Sequence, residues 1–254
     1  MGLFDNPNES WRQFGQKDPY YGVLSAEEFR AKNLTQASLK TFFDSGETHI
    51  EHMLRTAAER LKCKVGTEAA MDFGCGVGRL VVPLAKRFDR VAGVDISRDY
   101  IAEARRNCET RGLANVEFAE TVAALKASGR GFDFIHGCIV FNHIPWRDGQ
   151  NIIREMFQLL NPFGVMAIGV LHHREVSRLR LAAQKARRFL PLNWLFNLCR
   201  GRPVFEPLMQ SNIYSLDELL PMLHNAGAEG SYVQTHRNEN NESWAVIFCA
   251  RGAD

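Results

Sequence analysis

Long hydrophobic runs are missing from this 254-residue chain. No apolar stretch approaches the roughly 18 residues that a membrane-spanning helix needs. Paired cysteines are missing as well. The six cysteines, at 63, 75, 108, 138, 199 and 249, never form a C-x-x-C pair. Several sit in apolar patterns, which suits buried thiols in a reducing compartment better than disulfides or zinc, and no metal is expected. No sign of charge dominates, since 31 Lys and Arg face 29 Asp and Glu. There is no internal repeat and no low-complexity tract. The opening residues, Met1-Gly2-Leu3-Phe4-Asp5-Asn6, lack the basic and apolar regions of a secretory signal. They offer no good myristoylation motif either, and read as a mobile tail ahead of a cytoplasmic protein. What is present, 45% apolar and 24% charged residues, is ordinary for one globular α/β domain with decorations, or at most two small ones.

The most informative segment is Ala69-Ala70-Met71-Asp72-Phe73-Gly74-Cys75-Gly76-Val77-Gly78-Arg79, followed by Asp95 after the apolar run Val91-Ala92-Gly93-Val94. An apolar strand, an acid, three glycines on alternate positions and a helix make a turn that holds a small ligand against bare backbone. Glycine serves there because a Cβ blocks close approach and disfavours positive φ. Asp95, at the tip of the next strand, is placed for a ribose diol, while Ser97 suits a helix N-cap. The dinucleotide fingerprint G-x-G-x-x-G is not met, because the third glycine arrives one residue early.

Around this segment the pattern alternates as in a doubly wound fold. Strands are expected at about 68–73, 91–95, 116–120, 132–137 and 165–171, with helices between them, including 97–111 and 147–160. Before it, residues 1–65 read as an irregular start followed by helices, one from about Gly46 to Cys63. Ser25-Ala26-Glu27-Glu28 has capping-box spacing. After it come an insertion at 172–212, a helix from Ser215 to near Gly227, and strands at about 230–236 and 243–250. The polar turn 237–242 between those strands suits an antiparallel hairpin at the sheet edge.

Strand, Asp72, glycine triplet and Asp95 together resemble the first motifs of the class I S-adenosylmethionine-dependent methyltransferases. The resemblance covers about 65–250 for the fold. It is sharpest at 72–78, at 95 and at 137–145, where Gly137-Cys138-Ile139-Val140-Phe141-Asn142-His143-Ile144-Pro145 resembles the family's segment after strand four. Asn161-Pro162-Phe163-Gly164 resembles its step into strand five, with Phe163 where a glycine is usual. Trp11, Gly15, Asp18-Pro19-Tyr20-Tyr21, Leu24-Ser25 and Phe42-Phe43-Asp44-Ser45-Gly46-Glu47 look like the leading part of a bacterial small-molecule or glycan-type subgroup. The resemblance implies a Rossmann-like, mostly parallel sheet closed by an antiparallel hairpin, under a helical N-terminal cap. Tyr20, Tyr21 or Phe43 would then touch the cofactor, or simply pack the cap.

S-adenosylmethionine is the cofactor that this resemblance implies. Asp72, Gly74, Cys75, Gly76, Gly78 and Arg79 would hold its methionine half, Asp95 its ribose and Ile96 the adenine face. Glu120-Thr121 would reach the adenine amino group, or lie in solvent. Gly137 follows at the end of strand four. The donor is already activated, so the protein chiefly aligns the acceptor and excludes water. For a hydroxyl acceptor a neutral histidine is the natural base. His143 is the first candidate, with a loop-ordering role as its alternative, and His172 and His173 directly follow the expected strand five. His136 is expected near the cofactor. The N-methyltransferase signature of Asn or Asp, Pro-Pro and an aromatic is absent.

Residues 174–202 carry a net charge of +7, leaving −5 for the rest of the chain. Basic residues at 174, 178, 180, 185, 187 and 188 precede Phe189-Leu190-Pro191-Leu192-Asn193-Trp194-Leu195-Phe196. Three readings stay open: a solvated helix, a lid over an anionic acceptor, or peripheral contact with an anionic membrane. Nothing resembles a nucleic-acid-binding module. The expectation is a methyltransferase domain over 1–254 (cap 1–65, core 66–171, insertion 172–212, terminal helix and hairpin 213–254). It would methylate a hydroxyl of a small or glycan-like acceptor, with an anionic one suggested by the insertion. A small-molecule N-methyltransferase, a non-catalytic cofactor binder and, more remotely, a nicotinamide-dependent oxidoreductase are the alternatives.

Overall fold

The computed structural model describes residues 6–126, 129, 131–175, 182–183, 185–239 and 241–253. Residues 1–5 of the expected mobile tail, along with Arg178 and Arg180 of the basic insertion, lie outside them, while Asn6 caps the first helix. Seven strands form one sheet: β1 (Ala69–Phe73), β2 (Arg90–Val94), β3 (Val116–Ala119), β4 (Phe132–Gly137), β5 (Leu160–Arg174), β6 (Ala228–Arg237) and β7 (Glu242–Arg251). Their order is β3-β2-β1-β4-β5-β7-β6. The first five are parallel, and β7 runs antiparallel between β5 and β6. From β1 the chain winds outward through β2 and β3, then returns to β4 on the other side. The crevice of such a sheet opens at that switch point, beyond the carboxyl ends of β1 and β4.

Strand residues alternate between two buried layers, as a period of two requires. On β5, Val165 and Ala167 join one core, whereas Met166, Ile168 and Val170 join the other. The first core is roofed by α1 (Pro7–Lys17), α2 (Pro19–Val23), α3 (Gln36–Leu61), α4 (Val81–Ala85) and α5 (Arg98–Glu109). The second lies under α6 (Val122–Lys126), α7 (Trp146–Gln158) and α9 (Leu216–Asn225). The insertion contributes α8 (Leu190–Cys199). No helix among the described residues is long and apolar enough to cross a membrane.

Three local expectations change. The capping box belongs to α3, where Thr35 and Ser38 exchange side-chain and backbone bonds. At Ser25 the hydroxyl instead donates to Tyr21 O at 3.3 Å, and Glu27–Phe29 is a single tight turn. The helix expected from Gly46 begins ten residues earlier, at Gln36. Phe163 takes the left-handed conformation of the glycine it replaces, φ 63°, with its ring 62% exposed. Finally, β5 runs on to Arg174 because β7 continues to pair with it, His173 facing Ser243 and Arg174 facing Glu242 across the ladder. His172 and His173 therefore lie inside the strand, not after it.

Candidate active site

A cavity of about 730 Å³ opens at the switch point, within the size range of small-molecule sites. Its floor is the loop after β1. Gly74 N and Cys75 N donate to Val94 O at 2.8 and 3.0 Å, which pins the loop to β2. Gly74, Gly76 and Gly78 all have positive φ, at 73°, 50° and 85°. Asp72, Gly74, Cys75, Gly76 and Arg79 line the cavity, but Gly78 does not. A Cβ on Gly78 would meet Ala104 at 3.3 Å, so the third glycine serves the approach of α5. Gly137 is likewise absent from the wall, being buried against Phe141 at the end of β4.

Asp95, Ile96, Glu120 and Thr121 form the adjoining wall. Asp95 accepts from Gly76 N and Ser97 N, both at 2.9 Å, and burial still raises its pKa to about 6. Each oxygen keeps a lone pair for a ligand. Ser97 caps α5 through Tyr100 N, as its position implied. Glu120 is exposed and paired with Arg98 at 2.8 Å, while Thr121 Oγ1 accepts from Ala124 N at 3.3 Å. At the deep end Asp72 is buried and its pKa is pushed up to about 7, a desolvation effect that the neighbouring Arg79 opposes.

The opposite wall comes from far along the chain. Trp11, Val23, Leu24, Ser25, Ile144, Pro145, Ile152 and Met209 make it largely apolar. His143 lines it too. Its Nδ1 lies 2.7 Å from Gln210 O, and a carbonyl only accepts, so Nδ1 carries the proton and Nε2 the lone pair. Burial lowers its pKa to about 4, against the opposing bond to Gln210. Trp11 packs on the ring at 4.6 Å, and Asn142 Nδ2 lies 3.2 Å from Nε2. The strap that carries Gln210 is held in turn. Arg188 donates to Gln210 Oε1 at 2.7 Å, Asn212 N to Asn142 O at 2.6 Å, and Tyr214 to Ile144 O at 2.9 Å. His172 and His173 are not part of the cavity wall.

Residues 70–164, from β1 into β5, match the family model described as a methyltransferase domain. The ubiquinone biosynthesis O-methyltransferase of Ruegeria pomeroyi is 28% identical over 189 residues, 71% of this chain and 70% of that one. A tRNA/tmRNA (uracil-C(5))-methyltransferase of Campylobacter curvus is 34% identical over 85 residues, 30% of this chain and 23% of its own length. The chain thus spans under a quarter of one curated relative and about two thirds of the other. Among solved structures, the magnesium protoporphyrin IX methyltransferase of Synechocystis with bound SAM superposes with a TM-score of 0.60 at 14% identity, over 99% of this chain and 100% of that one. Residues 70–164 therefore carry a methyltransferase domain, on a fold shared with S-adenosylmethionine-binding methyltransferases.

Two buried polar atoms on the cavity wall are left without partners. Arg79 donates through Nη1 to Ser45 Oγ at 3.3 Å, but its Nε has no partner, and neither does the Tyr100 hydroxyl. An unpaired buried donor is costly, and a carboxylate entering beside Arg79 would relieve that cost. Of the two readings of the cap aromatics, the structure agrees with packing. Tyr20 is tied to Glu103 at 2.7 Å, Tyr21 lies under the Arg30 guanidinium at 3.6 Å and Phe43 under that of Arg111 at 3.8 Å, so none of the three reaches the cavity. Trp11, Val23 and Leu24 take that place because α1 and α2 fold their other faces onto α5.

Sequence reasoning also missed Ile139, a β-branched residue at φ 54° on the cavity wall. Such a conformation is unfavourable without glycine. It accompanies the close approach of Val140, whose Cγ2 would stand 2.5 Å from a Cβ on Gly74. The described basic residues of the insertion mostly brace the protein. Arg174 pairs with Glu242 at 2.9 Å, and Arg187 stacks on Phe196 at 3.9 Å and donates to Asn193. None of them lines the cavity.

Proposed function

We propose that this methyltransferase transfers the methyl group to a hydroxyl of a small acceptor with an apolar body, with His143 as general base. When bound, S-adenosylmethionine supplies a methyl group already activated on a sulfonium. Asp95 accepts from the ribose hydroxyls, Ile96 packs on the adenine, and Asp72 and Arg79 meet the ammonium and carboxylate of the methionine half. Glu120 and Thr121 stand at the rim beside the adenine. The acceptor lies between Trp11, Ile144 and Met209, out of bulk water. His143 Nε2 takes the hydroxyl proton after the acceptor displaces the Asn142 amide. Catalytic hydrogen bonds are commonly loose before substrate arrives.

The observation that carries this reading is the His143–Gln210 bond, because it leaves a neutral imidazole with its lone pair on Nε2, beside the Asn142 amide. An apolar acceptor is preferred to the anionic or glycan-like one suggested by charge, since the described basic side chains of the insertion are engaged away from the wall. One feature favours membrane contact as the route of such an acceptor: Leu195 and Leu198 of α8 are 57% and 62% exposed, beside Phe205 at 62%.

The test separates binding from turnover. S-adenosylhomocysteine affinity is measured by calorimetry, and labelled methyl transfer is followed across a panel of phenolic, sugar and carboxylate acceptors. Transfer to apolar phenols, lost in His143→Ala, supports the proposal. Binding without transfer to any acceptor class would favour a non-catalytic binder, and transfer confined to amines would remove the base.

A further inference from the structure

The carboxyl end of β4 reads His136-Gly137-Cys138. Alternate residues of an extended chain project to the same side, so His136 and Cys138 are presented together. Across that side runs α3, which turns Gly46, Ile50 and Met53 inward and carries His49 on the same stripe. The ligand atoms of His49, His136 and Cys138 all lie within 4.8 Å of one another. The two Nε2 atoms are 3.0 Å apart, with ring planes 80° from parallel. His136 Nδ1 faces Asp72 Oδ1 at 3.2 Å. A carboxylate on the far nitrogen is the arrangement that orients metal-bound histidines.

We propose that His49, His136 and Cys138 form a binding site for a zinc-type divalent cation, with Asp72 as the outer partner of His136. Imidazole and thiolate ligands suit such an ion. Bond lengths of about 2.0–2.1 Å to nitrogen and 2.3 Å to sulfur place tetrahedral ligand atoms roughly 3.3–3.6 Å apart. Side-chain rotations of about an ångström reach that spacing. Three protein ligands leave a fourth position for water or a small molecule, and Cys138 lines the cavity.

Protons balance as follows. The bond from Nδ1 to Asp72 keeps a proton on that nitrogen of His136 and leaves Nε2 to accept from His49 Nε2–H. On binding, His49 moves its proton to Nδ1 through solvent, and the Cys138 thiol releases its own to solvent. Burial keeps both rings neutral, lowering His136 to about 3 and His49 to about 2, and raises the Cys138 thiol to about 11. Arg79 is the opposing charge, and the Asp72 carboxylate and Cys138 thiolate offset it. A bare N–H···N bond between the histidines is the competing explanation, and it has no need of Cys138.

Cobalt(II) titrated into the tag-free, chelator-treated full chain distinguishes the two. One equivalent should bind with a thiolate-to-cobalt charge-transfer band and the intense visible bands of a four-coordinate ion, and zinc should bleach both. Cys138→Ser should lose the charge-transfer band and bind about tenfold or more weakly, and His49→Gln should weaken binding similarly. Melting curves and S-adenosylhomocysteine binding check the fold of each variant. Should a variant fail to fold, iodoacetamide labelling of the wild type gives the same answer. Zinc should protect Cys138 while the exposed Cys199 labels freely. Absence of the thiolate band in the wild type, an unchanged band in Cys138→Ser, or no zinc protection overturns the site. No readout here depends on methyl transfer.

Discussion

At the glycine-loop end of the cavity the wall is mostly backbone, held by Val94 O and Asp95 within a few residues of β1 and β2. At the His143 end it is side chains from distant segments, Trp11, His143 and Met209 among them, with the Gln210 carbonyl behind His143. The first end needs only that two neighbouring strands form. The second needs the cap, the loop after β4 and the strap to arrive together. Binding and turnover should therefore respond to different mutations.

The largest expected effect tests that separation. His143→Ala should lower the single-turnover rate by roughly 10²–10⁴, with S-adenosylhomocysteine affinity unchanged. A parallel fall in affinity would mean that the two ends are one unit. Next is Asp95→Ala, which removes a charge-assisted contact worth about 1.5–3 kcal/mol, or roughly 10- to 150-fold in calorimetric affinity. Its effect on the rate at saturating cofactor should be small.

Acid should separate the ends as well. Asp95, raised to about 6, is ionised above that pH and neutral below it, so cofactor affinity should decline as pH falls through 6. His143, lowered to about 4, stays a free base over the same interval. The rate at saturating cofactor should then stay level from pH 7 to 5, and an ordinary histidine limb near 6.5 would count against it. Arg188→Ser loosens Gln210 only indirectly. It should cost about 1 kcal/mol, roughly fivefold in turnover, with no change in cofactor affinity.

The smallest effect lies away from both ends. Phe163→Gly relieves a left-handed residue at the cost of a freer unfolded chain, for a net gain of about 0.5–1 kcal/mol in a melting experiment. Activity should not move.

The contrast also explains what was readable beforehand. The five parallel strands, the hairpin and the Asp72, Gly74, Gly76 and Asp95 cluster followed from short-range pattern, because periodicity and turn chemistry act over a few residues. Gly78 and Gly137 were placed in the right turns, but only tertiary packing shows that they face Ala104 and Phe141. His172 and His173 were misplaced because the length of β5 depends on β7, some seventy residues later. The roles of Trp11 and Gln210, and the meeting of His49 with His136, depend on pairings that no local rule encodes. The three readings of the +7 segment stayed open for a related reason: charge composition does not reveal that Arg174, Arg187 and Arg188 have partners within the fold.

The strand order has a consequence for how the protein is made. β7, the latest of these seven strands in chain order, is the one that lies between β5 and β6. Until it emerges, β5 offers an unpaired edge from Val165 to Arg174, and β6 has no neighbour to dock against. Open apolar edges are where nascent chains associate wrongly. Synthesis that stalls upstream of Glu242 should thus leave a chain whose nucleotide-side half can fold while its other half is prone to aggregate.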